Sequence, residues 1–177
     1  QLADWLFQSR GMSLLVLGST EEAATANAIA EQTASGVINF CGKTSVGQMT
    51  ALLRHCRIYI GRDTSVMHLA AAVGVPVVEI SACPVGEAAE MHFSSPKRFG
   101  PWGVPHRVLQ PQQANMDCKG GCRAPEPHCI LRVSVSEVQQ AIHELLSLPE
   151  GKANQPVMPQ PTDKRQTWTR ALQRFSD

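Results

Sequence analysis

Residues 61–72, GRDTSVMHLAAA, decide the fold of this chain. Residues 57–60 come directly before this segment and predict a short buried strand, which ends at Gly61. Asp63-Thr64-Ser65 then predicts the capped start of a helix, which Gly74 ends. A strand, a tight turn and a helix in this order form the beginning of a βαβ unit.

The same pattern recurs on both sides of this segment. Short apolar runs predict strands at 13–17, 37–40, 57–60, 75–80 and 106–109. Helical spacing predicts helices at 2–9, 21–34 and 47–56, and another after the capping box Ser134-x-x-Glu137. We expect strand 13–17 to be buried on both faces, and 82–105 to be a surface loop with a helical turn near 86–91. The alternation predicts an α/β fold over 1–148, a Rossmann-like parallel sheet flanked by helices.

Composition indicates a globular protein. The chain has 177 residues, of which 43% are hydrophobic and 18% charged, and its net charge is +1. That balance gives no reason to expect a nucleic-acid partner. The longest apolar run, Leu69–Val78, is far shorter than the ~20 residues of a membrane span.

The last residues differ in character from the rest. Four prolines over 149–161 predict a linker, and 162–177 predict a short helix with one apolar face. The segment 151–177 carries five basic and two acidic residues. A solvated face is the simpler interpretation of this charge, and binding to a membrane surface or a polyanion is the alternative.

Ligands of parallel sheets bind beyond the carboxyl ends of the strands, so four loops matter: 18–22, 42–45, 61–65 and 81–86. The first amides of the helix at 64–66 would form an anion site there. We expect Asp63 to hold those amides as the N-cap, or to bind a sugar hydroxyl. One turn further on, His68 either donates to a phosphate or packs in the interior.

The six cysteines form two groups. Three of them, Cys41, Cys56 and Cys83, lie in apolar segments and are expected to behave as small hydrophobic residues. Three thiols and an imidazole in the later loop make a Cys₃His zinc site an alternative. Its ligands would be Cys118, Cys122, His128 and Cys129; the simpler interpretation is an ordered loop without metal.

Several of these segments together resemble a known family. They are GSTEE at 18–22, GKTS at 42–45, DTSVMHLAAA at 63–72, GVPVV at 74–78 and FGPWG at 99–103. In this order they resemble the second half of the heptosyltransferases, glycosyltransferase family 9, over about residues 1–147. The resemblance implies the C-terminal half of a GT-B fold. The acceptor domain and its general base would lie outside this chain, and the helix at 162–177 would cross back to that domain.

The resemblance also implies an activity. The family transfers a sugar, usually heptose from ADP-heptose, to a lipopolysaccharide acceptor with inversion and generally without a bound metal or other cofactor. The residues that would surround the donor diphosphate and sugar are Asp63, Thr64, Ser65 and His68. Those that would contact the nucleoside are Thr44 with Lys43 at the adenine, and Glu21 or Glu22 at the ribose hydroxyls. Ser65 departs from the family, which usually has glycine there, and so does the loop at 81–86.

Other interpretations stay open at this point. A degenerate domain could bind a nucleotide or a partner without transferase activity, and a zinc-stabilised interaction module is a third hypothesis. If the chain is a transferase, we expect it to be inactive without the acceptor domain. We expect a cytoplasmic location, with the inner face of the inner membrane as the alternative.

Overall fold

Five short strands alternate with helices along the chain. The computed structural model describes residues 1–33, 36–86, 94–113 and 128–148. The strands are β1 (Leu14–Val16), β2 (Val37–Asn39), β3 (Tyr59–Gly61), β4 (Val77–Ile80) and β5 (His106–Leu109). The helices are α1 (Leu2–Arg10), α2 (Ala23–Gln32), α3 (Val46–Leu53), α4 (Ser65–Ala72), α5 (Pro96–Phe99) and α6 (Val135–Leu146). The predicted linker and the helix after it lie outside the described residues.

All observed strand pairs are parallel, as predicted. β1 pairs with β2, placing Leu14 opposite Val37. β4 lies between β3 and β5, with Gly61 and Val108 on either side of Glu79. The single sheet expected from the sequence is divided into these two hydrogen-bonded ladders. The fold is therefore α/β and Rossmann-like, with helices against both faces of the β3–β4–β5 ladder.

The prediction that β1 is buried on both faces is wrong. Leu14, Leu15 and Val16 are each only half-buried. Among the described strands β1 pairs with β2 alone. A strand with one hydrogen-bonded neighbour is less covered than a central strand, and β4 in the middle of its ladder is indeed buried at Val77, Val78 and Glu79.

One core layer lies between β4 and the helices α3 and α4. Met67 and Ala70 of α4 and Val77 of β4 are completely buried, and Leu53 of α3 packs with them. The small side chains of Ala70 and Ala71 let α4 approach the ladder closely. This packing fixes α4 against the strands and thereby fixes where its first turn lies.

The opposite face of the ladder is covered by α1 and α6. Leu6, Val78 and Ile142 are buried in this layer, together with Val138, Ala141 and Leu145. Ser134 begins α6 as predicted, since its hydroxyl accepts from the Glu137 amide while the Glu137 carboxylate accepts from the Ser134 amide. No helix within the described residues is long and apolar enough to cross a bilayer.

The region expected to be a loop after Ser81 contains a short helix, α5. Pro96 occupies its first turn, where the missing N–H costs least. Residues 87–91, most of the expected helical turn, lie outside the described part of the chain.

Candidate functional site

The four loops singled out in the sequence follow β1, β2, β3 and β4. Because the paired strands are parallel, their carboxyl ends share an edge of each ladder. Two loops of the first ladder touch, since Gly42 packs against Thr20. The charge of Glu22 in the loop after β1 also acts on Tyr59, the first residue of β3.

Helix α4 begins at Ser65, with Thr64 as the N-cap. Thr64 makes no capping hydrogen bond through its side chain. In the described structure the Ser65 amide is not engaged in a backbone hydrogen bond either. The first amides of an α-helix have no acceptor within the helix, and the helix dipole adds positive potential there. This end of α4 is therefore suited to an anion.

The expectation that Asp63 is the N-cap is wrong. The helix starts one residue later, and the Asp63 carboxylate turns to His68, with Oδ1 and Nε2 3.1 Å apart. His68 is not packed in the interior, since half of its side chain is exposed. The pair stands beside the open helix end, where the imidazole can reach a bound anion.

Tyr59 ties β3 to this turn and was missed from the sequence. Its hydroxyl lies 3.4 Å from the Thr64 hydroxyl. Burial raises the pKa of Tyr59, and the negative charge of Glu22 adds to that effect. The signal in the sequence was Gly61, two residues later on the same strand. A side chain at Gly61 would collide with the Tyr59 hydroxyl.

The two predicted acidic residues have different surroundings. The amide and hydroxyl of Ser19 both donate to Glu22 Oε2, at 2.8 and 3.1 Å, which closes a capping box at the 3₁₀ turn Thr20–Glu22. Glu21 is exposed. Glu22 is thus the acid fixed among the loops, since its charge acts on both Cys41 and Tyr59.

The loop at 42–45 is built on a glycine turn. Gly42 has φ +69°, and a Cβ there would lie 2.8 Å from the Thr20 backbone. The Lys43 ammonium donates to the Asn39 carbonyl oxygen at 2.9 Å. Ser45 caps α3 by accepting from the Gln48 amide. These contacts place Thr44 at the mouth of a groove.

Gly42→Ala is expected to lower the free energy of unfolding by about 1–2 kcal/mol, because alanine is strained at positive φ and would press on Thr20. Thermal or urea unfolding measures the change. Gly47→Ala is the matched control, since a Cβ at Gly47 meets nothing within 4 Å and helical alanine is favoured over glycine. Equal stability of the two variants would contradict the close packing of these loops.

A groove of about 400 Å³ opens between this loop and α3. Its lining is mostly apolar and consists of Phe40, Lys43, Thr44, Gln48, Ala51, Leu52 and His55. The Thr44 hydroxyl is buried and has no hydrogen-bond partner in the part of the chain that the structure describes. A mostly apolar groove with one unpaired polar group is typical of a small-molecule site.

Glu79 is the second residue that sequence reasoning missed. It lies in the apolar run VPVVEI at 75–80, and its side chain is completely buried. Neither carboxylate oxygen has a hydrogen-bond partner among the described residues. Burial, with a smaller contribution from the negative charge of Asp63, raises the pKa of Glu79 to about 7. A charged residue within an apolar strand was the signal.

The cysteine predictions are confirmed in part. Cys41 and Cys83 are buried, Cys56 is half-buried, and none of the three forms a disulfide among the described residues. In the later loop, Cys118 and Cys122 lie outside the described residues, so the zinc hypothesis remains untested. Cys129 is buried, and its sulfur lies 3.0 Å from His128 Nδ1.

Comparison with known proteins gives concordant results. The family model for glycosyltransferase family 9 (heptosyltransferase) matches residues 2–126. No curated protein sequence matches significantly. A glycosyl transferase of family 9 from Veillonella parvula DSM 2008 is structurally similar, with a TM-score of 0.64 and 22% identity. The E. coli ADP-heptose LPS heptosyltransferase II is similar too, with a TM-score of 0.63 and 21% identity.

Each structural alignment covers 82% of this chain but 39% of the other protein. The chain therefore spans about two fifths of the length of these relatives. At such identities the structural likeness shows the fold alone, whereas the sequence match extends over most of the chain. This protein belongs to glycosyltransferase family 9, the heptosyltransferase family.

Proposed function

We propose that this chain is the domain that binds the nucleotide-sugar donor of a family 9 glycosyltransferase, and that this donor is an ADP-sugar, ADP-heptose. One observation carries the proposal: the open amino end of α4 follows the carboxyl end of β3, and a groove lined by Thr44, whose hydroxyl is unpaired among the described residues, begins after the carboxyl end of β2. An anion site beside a mostly apolar groove is suited to a diphosphate joined to a nucleoside.

In this proposal the groove holds the adenine and the Thr44 hydroxyl supplies a hydrogen bond to it. Lys43 stands at the rim of the groove, and Glu22 accepts from the ribose hydroxyls through the carboxylate oxygen that Ser19 leaves unused. The amides at Ser65 and beyond receive the diphosphate. Asp63 and His68 face the junction of diphosphate and sugar.

The chemical task of the domain is to stabilise a leaving group. When the bond between the sugar and the diphosphate breaks, the sugar gains oxocarbenium-like character. Negative charge grows on the diphosphate as it leaves. Amides and a helix dipole that are already oriented lower the energy of that charge without reorganisation. His68 donates to the same oxygens, and Asp63 keeps its ring oriented. In this proposal another domain supplies the general base and binds the lipopolysaccharide-type acceptor. The transfer uses no cofactor.

Location and membrane contact belong to the same proposal. The E. coli protein with this fold is described as an ADP-heptose LPS heptosyltransferase. A donor of this kind and a lipid-linked acceptor favour a cytoplasmic enzyme that works at the inner face of the inner membrane.

Calorimetric titration of the 177-residue chain with ADP and with UDP tests the donor assignment. We expect ADP to bind and UDP to bind at least tenfold more weakly, because the smaller base leaves part of the groove unfilled. Absence of binding by ADP, or equal binding by UDP, would contradict the assignment of an adenine nucleotide.

Ala51→Trp is expected to fill the groove and weaken ADP binding by about tenfold or more, since the indole occupies the space assigned to the base. Ala51 is exposed on α3, so the fold should tolerate the change. Ala28→Trp is the control, because Ala28 is exposed on α2 and does not line the groove. Titration with inorganic pyrophosphate should show little difference between the variants; an equal loss for ADP and pyrophosphate would argue against a base in the groove.

A further inference from the structure

The buried carboxyl group of Glu79 lies beneath the proposed diphosphate site. Side chains alternate between the faces of a strand, so Glu79 shares the face of Val77, which packs against α4. Its neighbour in register on β3 is Gly61, two residues before Asp63. Helix α4 runs back from the carboxyl end of β3, and its first turn therefore lies over this part of the ladder.

Tyr59 and Asp63 link the surroundings of Glu79 to that turn. Gly61 has no side chain, and the space above it is taken by the Tyr59 ring, whose hydroxyl meets Thr64. The Asp63 charge reaches Glu79 strongly enough to act on its ionisation. A diphosphate on the first amides of α4 would bring further negative charge to the same place.

We propose that Glu79 binds a proton when the donor diphosphate occupies the first turn of α4, so that no carboxylate charge remains beneath the phosphates. This inference rests on the proposed function. In it Glu79 is a positioning residue that sets the local charge and does not touch the reacting atoms. A fully buried carboxylate without a hydrogen-bond partner is costly to ionise, and among the described residues Ser81 alone acts to lower its pKa.

The physical basis is the cost of a second negative charge at short range. Burial and Asp63 already raise the pKa of Glu79 to about 7, so the free protein holds a mixture of both forms near neutral pH. As a general scale, a unit negative charge about 8 Å from a carboxyl group, at an effective dielectric constant of about 20, strengthens proton binding by about 30-fold. Binding of the diphosphate thus converts the mixture to the neutral acid.

Other polar and ionisable groups near Glu79 also matter for its ionisation. Ser81 lies close enough to lower the pKa of Glu79 slightly, but outside hydrogen-bonding geometry. The Cys83 thiol is buried nearby, and burial followed by the Glu79 charge raises its pKa, which keeps it neutral. His68, whose Nε2 lies 3.1 Å from Asp63 Oδ1, is a further ionisable side chain at this turn.

Calorimetry in two buffers of different ionisation enthalpy, HEPES and Tris, measures the proton uptake. ADP-glucose is the probe, because its diphosphate is a diester with no ionisation near neutral pH. At pH 7.5 we expect uptake of more than about half a proton per molecule bound by the 177-residue chain, and affinity several-fold weaker at pH 8 than at pH 7. Glu79→Gln should bind with almost no uptake and with little pH dependence.

His68→Gln tests whether the imidazole contributes, since uptake should persist in that variant if Glu79 is its source. Equal uptake by Glu79→Gln and the native chain would overturn the inference. So would loss of binding in a folded Glu79→Gln, because glutamine mimics the neutral acid. No binding of ADP-glucose or ADP by the native chain would instead contradict the proposed function itself.

Discussion

Ser65→Pro is expected to weaken ADP binding by about 10- to 100-fold while leaving the fold intact. Ser65 is the first residue of α4, where proline is accepted because the N–H makes no bond within the helix. Thr64 before it is extended, with φ −148° and ψ 167°, as a residue before proline prefers. The substitution therefore removes one amide donor from the proposed anion site and little else.

The magnitude follows from the charge of the ligand. A hydrogen bond to a charged group contributes about 1.5–3 kcal/mol, which corresponds to the stated range in affinity. Calorimetric titration with ADP measures the loss, and thermal unfolding checks that stability changes by less than about 1 kcal/mol.

Ser65→Ala and Ser65→Gly are the matched controls for this position. Both keep the N–H and remove the hydroxyl, so the difference between alanine and proline isolates the amide. Glycine also restores the residue that the family usually has here. If proline and alanine bind ADP equally well, the amide of Ser65 does not contact the diphosphate and the anion site is elsewhere.

Glu79→Gln is expected to raise the free energy of unfolding by up to about 3 kcal/mol at pH 8. The pKa of this carboxyl rises from 4.5 to about 7 in the folded protein, mainly through burial. The folded state therefore keeps a proton that the unfolded chain has already released between these two pH values. Stability of the native chain falls as pH rises through this window, and the full loss is present above about pH 7.

Glutamine has nearly the same size and never ionises, so the variant escapes this loss. Its advantage should shrink as pH falls toward 4.5, where the native side chain is neutral in both states. Urea unfolding at several pH values measures the difference. Glu31→Gln, an exposed position on α2, serves as the control and should show no such pH dependence. A constant difference across the range would mean that Glu79 is not buried as a titrating acid.

The sequence predicted the order of the elements well because the strands are short apolar runs closed by turn residues. Gly18 and Gly61 follow β1 and β3, and Ser45 and Ser134 begin α3 and α6 as capping residues. These signals depend only on residues close together in the chain, so they hold whatever the rest of the fold is. The burial of β1 was mispredicted because it depends on which strands pair, and pairing is a long-range property.

The sequence predicted where the candidate residues lie in the fold but not their contacts, and their role in binding a donor stays a prediction. Thr64, His68 and Glu22 lie where the loops predicted them, yet the partner of Asp63 is an imidazole and not the helix amides. Distinguishing Asp63 from Thr64 as the N-cap requires the backbone angles, which the sequence does not contain. The Tyr59 hydroxyl meets Thr64 in the turn after β3, and Glu79 lies opposite Gly61 in the β3–β4 register. Residue types alone do not specify these contacts.

Backbone amide NMR shifts during titration test the location of the diphosphate most directly. With inorganic pyrophosphate, the largest changes are expected at the first amides of α4, Ser65 and Val66. With ADP, the groove at 44–52 should shift as well, and both sets should saturate at the same affinity. Shifts that spare the start of α4, or that centre on another part of the chain, would contradict the assignment of this helix end as the donor phosphate site.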